Sequence, residues 1–404
     1  MNPRELRASL SLASIFGLRL FGMFIILPIF ALHAQGRPGW DLALVGIALG
    51  AYGLTQALLQ VPFGWLSDRH GRKPVLYFGL ALFAAGSFLC AASESPFWVI
   101  AGRILQGTGA ISGVVIAMAS DLTRPSQRTK AMAIIGSTIG VAFALSFVLA
   151  PFLRHAIGVA GIFALTGALA LAACAVVAWV VPEAPAKARE PVDWNAVLRD
   201  PELLRLNVGI FVLHAVLMAL FVVVPVALVA AGLPAVDHWW FYLGVVGAGF
   251  VIVLPAILGR GRLSERSLFL GSVAAVGLGV LLLAAGLGHL AVIVAAMVIF
   301  FAGFNVLEAK LPAFVSRAAP AAAKGSASGV YSSVQFLGTF VGGAAGGAVA
   351  EHLGFAAVLV GCALATAAWL AAAWGMGRMD ASYDEPDEGG APIAQTGGSP
   401  ASRT

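Results

Sequence analysis

The first thing this chain of 404 residues lacks is charge: Asp, Glu, Lys and Arg make up only 11% of it. A soluble globular domain carries about 25%, so a water-facing surface cannot be built and a soluble protein is excluded. Cysteine is scarce too. Cys90, Cys174 and Cys362 are the three present, all in apolar runs and none in a C-x-x-C pair. That excludes a disulfide framework and a thiolate metal centre and leaves small core residues. No Gly-x4-Gly-Lys-Ser/Thr loop occurs, which disfavours an ATP-driven pump. No cofactor and no metal is implied, and the chain is not expected to be an enzyme.

What is present is apolar: 60% hydrophobic residues, 48 glycines and a mean hydropathy of +0.93. A bilayer-spanning helix needs about 20 apolar residues. Apolar stretches fall at about 9–33, 43–66, 74–93, 96–120, 130–153, 157–181, 206–231, 239–258, 267–287, 289–314, 326–350 and 354–377, which predicts twelve spans. The first, from Ser11 to His33, is too long for a signal-peptide core and contains Arg19, so it reads as an uncleaved helix. The net charge of +5 would suggest nucleic acid in a soluble protein. Here the basic residues sit in short loops, and the partner they point to is the bilayer.

Alternate loops carry the cations: Arg69, Arg72 and Lys73; Arg124, Arg128 and Lys130; Lys187, Arg189 and Arg199; Arg260, Arg262 and Arg266; Arg317 and Lys324. The opposite loops hold only Arg37 and Arg154. This asymmetry predicts cytoplasmic basic loops and two cytoplasmic termini. The polar stretch near 183–204 divides the chain into a six-span block at 1–182 and another at 205–378. The tail at 379–404, rich in Gly, Pro, Ser, Asp and Glu, is expected to be disordered. The blocks look like repeats. Arg19 and His214 hold matching places in spans one and seven, ahead of Pro28 and Pro225, and Arg124 to Gly136 has the spacing of Arg317 to Gly329.

Spans two and three are joined by Gly64-Trp65-Leu66-Ser67-Asp68-Arg69-His70-Gly71-Arg72-Lys73. Scattered cations would satisfy a plain basic loop, without this Gly-x3-Asp-x2-Gly-Arg-Lys spacing. In the second block Gly259-Arg260-Gly261-Arg262-Leu263-Ser264-Glu265-Arg266 is basic but degenerate. Span four contains Gly102-Arg103-Ile104-Leu105-Gln106-Gly107. An arginine inside a span is costly unless it faces protein or water. Arg103 either works in transport or bonds carbonyls to fix packing, with Gln106 on its face. Arg19, halfway through span one, is an anion-binding or relay group, or a partner for a buried acid. Glu308 of span ten is the one acid clearly inside a span. It is the first candidate for proton coupling, and a fixed ion pair with Lys310 or Arg19 is the alternative. Asn305 shares its face. Histidine as a residue type titrates near neutral pH, which makes His214 the second candidate, unless it is simply hydrogen-bonded. Tyr52 and Gln56, and Tyr331 and Gln335, stand at i, i+4 and put an aromatic and an amide on one face. Each pair lines the path or bonds across it.

The loop at Gly64–Lys73 resembles the signature of the major facilitator superfamily. Arg103-x2-Gln106-Gly107 resembles its span-four motif associated with proton coupling, and Gly22 with Pro28 its span-one motif of drug/proton antiporters. The resemblance extends over nearly all of residues 1–378. It is closest to the YajR-type bacterial inner-membrane branch, through Tyr52–Gln56, Ser120–Arg124, Arg128–Ala133, Gly329–Ser332 and Gln335–Gly338. It implies an all-α fold of two pseudo-symmetric six-helix bundles that rock around a central cavity. It also implies a latch: Asp68 facing the N-terminus of span eleven, and Arg72 paired with Asp121. Two departures stand out. The small soluble C-terminal domain that YajR-type proteins can carry is expected to be absent. The antiporter glycines of span five are replaced in Ala150-Pro151-Phe152-Leu153.

The expected function is secondary transport of a small molecule by alternating access, as proton-coupled export. Arg19, Arg103 and Glu308 would form the charged relay. Import of an anionic or neutral metabolite by proton symport is the alternative. The expected partners are substrate, protons and lipid, and the expected state is a monomer in a bacterial inner membrane.

Overall fold

The computed structural model describes residues 1–184, 194–257, 264–320 and 323–376. The expected tail, the middle of the linker and the degenerate loop at 259–263 lie outside the described residues. The described chain is helical, with no strand assigned. Eleven helical segments are long and apolar enough to cross a membrane: Pro3–Ala34, Leu42–His70, Arg72–Ala91, Pro96–Leu122, Lys130–Trp179, Pro201–Ala230, Ala235–Pro255, Glu265–Ala285, Leu290–Ala318, Lys324–Leu353 and Phe355–Trp374. The fifth has 50 residues, and a helix of that length is about 75 Å long at 1.5 Å per residue. It is two spans. Gly158 interrupts it at φ 69°, ψ 176°, and the chain turns back there. The count is therefore the expected twelve, numbered here one to twelve in chain order.

Local chemistry sets the ends. Asn2 and Glu5 form a reciprocal capping box at the start of span one, Asp41 caps span two through the Leu44 amide, 2.7 Å, and Asp200 caps span seven. Glycine makes the tightest reversals. Gly71 (φ 90°) between spans two and three, and Gly354 (φ 83°) between eleven and twelve, take a backbone region that a Cβ forbids. Spans one and four are each discontinuous. Span one breaks between Phe24 and Leu27, just before Pro28. Span four breaks between Thr108 and Ser112, where Gly109 packs against the Gly79 carbonyl.

The two six-span halves meet along spans two and eleven. Gly46, Gly50 and Gly53 lie directly on the backbone of Phe336, Phe340, Gly343 and Gly347. A Cβ at Gly50 would sit 2.7 Å from the Phe340 carbonyl, and one at Gly53 2.6 Å from that of Phe336. Rings close the same seam. Phe147 of span five stacks on Phe221 of span seven at 5.5 Å and meets Tyr242 of span eight at 4.8 Å. At the rim, the Leu42 amide of span two donates to Glu351 of span eleven, 2.9 Å. All these contacts lie towards the side away from Pro3 and Trp374, so the halves are closed against each other on that distal side. On the terminal side, Gly64, Gly136, Gly325 and Gly329 have no atom within 4 Å of a would-be Cβ. In the distal loops of the first half, Arg37 and Glu94 pair at 2.6 Å, and the guanidinium holds the Glu94 carboxyl below its ordinary range.

Candidate substrate and proton site

The first half carries a polar core around two arginines. Arg19 of span one is 3% exposed and Arg103 of span four is 2% exposed. Arg19 donates through Nη1 to Ser112 Oγ, 2.8 Å, and through Nη2 to Gln56. Gln56 passes its own amide hydrogen to Gln60, 2.9 Å. The break in span four brings Ser112 to this position, as the first residue of the helix Ser112–Leu122. Arg103 is held differently. It donates to the Ala48 carbonyl at 3.1 Å, to Leu49 at 3.4 Å and to Gln106 at 2.9 Å. Gln106 in turn donates to Ser87, 2.7 Å. Both guanidinium groups lie against one ring, that of Tyr52, at 5.6 and 5.2 Å from its centroid. Tyr52 reaches across the seam to Phe336, 6.3 Å.

The second half carries the titratable pair. His214 of span seven donates from Nδ1 to the Ile210 carbonyl, 3.3 Å, which leaves Nε2 free to face inward. Gln335 of span eleven approaches that nitrogen at 2.8 Å, and Glu308 of span ten at 3.6 Å. Glu308 keeps 27% of its side chain exposed and His214 12%. Glu308 Oε1 and Tyr331 Oη are both buried without a hydrogen-bond partner.

The expected residues therefore fall into two groups. Arg19 and Arg103 are not joined to Glu308. The acid's neighbour is His214, the other proton candidate, and Lys310 pairs instead with Glu265 at 2.8 Å. Residues 308 and 310 are two apart and so point to different sides of the helix. Asn305 does not share the acid's site but donates to the Val246 carbonyl of span eight, 3.4 Å. Gln56 and Gln106 are 0% exposed. They are buried partners of the arginines, whereas Gln335 meets His214.

Of the latch, Arg72 bonds Asp121 at 3.0 Å, Asp68 and Ser67 at 2.6 Å. Asp68 thus accepts from Arg72 of its own half, and Lys73 ties the loop to Glu183, 2.8 Å. Gly64 and Gly71 flank this cluster. Sequence reasoning missed its counterpart. In the second half Glu265, at the start of span nine, binds Lys310 at 2.8 Å and Arg317 at 2.6 Å. Signs are exchanged: a cation opens span three and an acid opens span nine. A search for an acid–Gly–Arg pattern skips this arrangement, although the run of Arg about Glu265 was there to be read. Ser112, Gln60 and Ser87 were missed because small neutral polar residues carry no burial cost large enough to stand out.

Residues 12–343 match the Major Facilitator Superfamily. The chain is 42% identical over 332 residues to the inner membrane transport protein YajR of Escherichia coli, covering 80% of this chain and 73% of YajR. A shorter stretch, 29% of this chain and 30% of the relative, is 32% identical to the multidrug resistance protein MdtH of Aeromonas salmonicida. Among solved structures, a bacterial homologue of the human lysosomal transporter Spinster shares the fold with a TM-score of 0.73, at 13% identity, over 93% of this chain and 97% of that one. Twelve spans in two halves, with buried arginines part-way along spans one and four, agree with that match: this chain belongs to the Major Facilitator Superfamily and is a small-molecule transporter, not an enzyme.

Proposed function

We propose that this chain is a proton-coupled exporter of a small molecule, working as an antiporter in a bacterial inner membrane with both termini in the cytoplasm. The observation that carries the reading is the cluster of Glu308, His214 and Gln335, with acid and imidazole 3.6 Å apart. Two such groups side by side hold and release protons as a unit. They sit on spans seven, ten and eleven of one half, where alternating access would present them to each side in turn. Gln335 sits against the same imidazole nitrogen and can accept from it or donate to it, since an amide rotates between the two roles. The Ile210 bond keeps that nitrogen, rather than Nδ1, as the one that exchanges.

With the termini cytoplasmic, the sealed distal side makes this the inward-facing state. Asp68, Arg72 and Asp121 act as the latch: Arg72 holds both acids within the first half here, and reversal of the seal frees Asp68 to meet span eleven. Likeness to MdtH supports export as the direction. The test uses proteoliposomes loaded with a pH-sensitive dye and a compound found by thermal-shift screening. Wild type moves protons when the compound is added, and Glu308→Gln slows that movement at least about tenfold, a loss of 1.4 kcal/mol or more in barrier terms. Unchanged proton movement in the variant removes Glu308 from the coupling role.

A further inference from the structure

We infer that the first half holds a subsite for a small organic anion, a carboxylate or phosphate group bound by Arg19, Tyr52 and the helix turn at Ser112. The inference deepens the transport reading above and rests on it. It begins with a charge count. The first six spans contain six acids, Glu5, Asp41, Asp68, Glu94, Asp121 and Glu183. All stand at span ends and all are engaged there: Glu5 with Arg124 at 2.8 Å, Asp41 on the Leu44 amide, Asp68 and Asp121 with Arg72, Glu94 with Arg37 and Glu183 with Lys73. An arginine side chain is a cation with no acceptor of its own. Two buried cations thus share one half-bundle with no carboxylate of that half left for them, a costly arrangement unless a counter-charge arrives.

The two arginines differ in what they have left to offer. Arg103 is committed to two span-two carbonyls and Gln106, so it is a positioning group for the seam. A guanidinium has five N–H donors. Arg19 uses one nitrogen on Ser112 and one on Gln56, and its Nε has no hydrogen-bond partner. Tyr52, 1% exposed, lies against it with an equally unpartnered hydroxyl. The third component is independent of both. Span four restarts at Ser112, and the N-terminus of this eleven-residue helix carries no side-chain cap. Uncapped amides and the helix dipole favour an anion at that end, and Arg19 Nη1 is already 2.8 Å from Ser112 Oγ. Arg19 thus has the Tyr52 ring on one side and the restart of span four at Ser112 on another, and none of the six acids of this half is bonded to it. A cation would meet two fixed positive charges there.

The experiment is thermal unfolding of the purified full-length protein in detergent. The probes are acetate, benzoate, citrate, glycerol phosphate and inorganic phosphate, with benzamide and tetraphenylphosphonium as neutral and cationic comparisons. At least one organic anion raises the wild-type midpoint saturably, by about 3 °C or more at a hundred times its dissociation constant, and the two comparison compounds do not. Arg19→Met abolishes that shift and by itself raises the ligand-free midpoint, because an unpaired buried charge is gone; Arg19→Lys restores part of the shift. A silent panel, an anion shift that survives in Arg19→Met, or a lowered ligand-free midpoint in that variant overturns the inference. No gradient is applied and Glu308 is intact throughout. Failure of proton coupling in liposomes therefore leaves this result standing, and failure here leaves the coupling result standing.

Discussion

Tyr52 touches both arginines, a phenylalanine of its own half and one of the other half, yet its hydroxyl bonds nothing. Ring and hydroxyl are thus separable. Tyr52→Phe should unfold at the wild-type midpoint or above it, since a buried hydroxyl without a partner costs about 1–3 kcal/mol. Tyr52→Ala should lose about 3–5 kcal/mol, the usual cost of deleting a core aromatic. Unfolding of both variants in detergent checks the pair, and a Phe variant as unstable as the Ala variant would show that the hydroxyl has a partner. Arg19, Arg103, His214 and Glu308 were legible in the sequence because ionisable groups inside a span are expensive. For Arg103 the partner Gln106, at i+3, was legible too; the partners of Arg19, His214 and Glu308 were not. Which acid meets which base depends on helix rotation and on the packing of spans seven, ten and eleven, and neither is written in the spacing of Glu308 and Lys310.

Among elements, spans two and eleven decide how the halves meet. Their backbones touch through Gly46, Gly50, Gly53, Gly343 and Gly347, the small-residue packing that membrane helices use in place of a hydrophobic drive. Gly50→Val places its side chain on the Phe340 carbonyl and cannot be absorbed by a rotamer change. It should cost about 1–3 kcal/mol in the distal-sealed state and shift the population to the opposite one. Spin labels at Asp41 and His352 should then report longer distances by pulsed electron resonance; unchanged distances would show that the seam yields elsewhere. The twelve spans were readable as apolar runs, whereas the break in span one ahead of Pro28 was not anticipated. The seam was not readable, since 48 glycines are too many for any five to declare a register. The break at Gly109 was equally hidden, because it depends on Gly79 of another helix.

For the whole molecule, the sequence offset between Arg19 and His214 announces two halves, but nothing in either half says which side is closed. That balance is a matter of a few kcal/mol between two packings. The structure shows where part of it resides. Glu351, at the end of span eleven, caps the first turn of span two at 2.9 Å and so bridges the halves on the distal rim. Glu351→Gln removes the charge and keeps a polar group. By the usual worth of an anion at a helix N-terminus, about 0.3–1 kcal/mol, it should raise the distal-open population roughly two- to fivefold, read with the same spin labels. The exchanged-sign clusters at Arg72 and Glu265 tie the terminal-side ends of each half together.

Coupling of substrate movement to protons through Glu308 and His214 can be separated from alternation in the same proteoliposomes. Glu308→Gln should retain substrate counterflow, in which substrate on both sides exchanges without net driving force, at a rate within about threefold of wild type. It should lose accumulation driven by a proton gradient. If the variant still accumulates substrate against its gradient when protons drive it, Glu308 is not the coupling group.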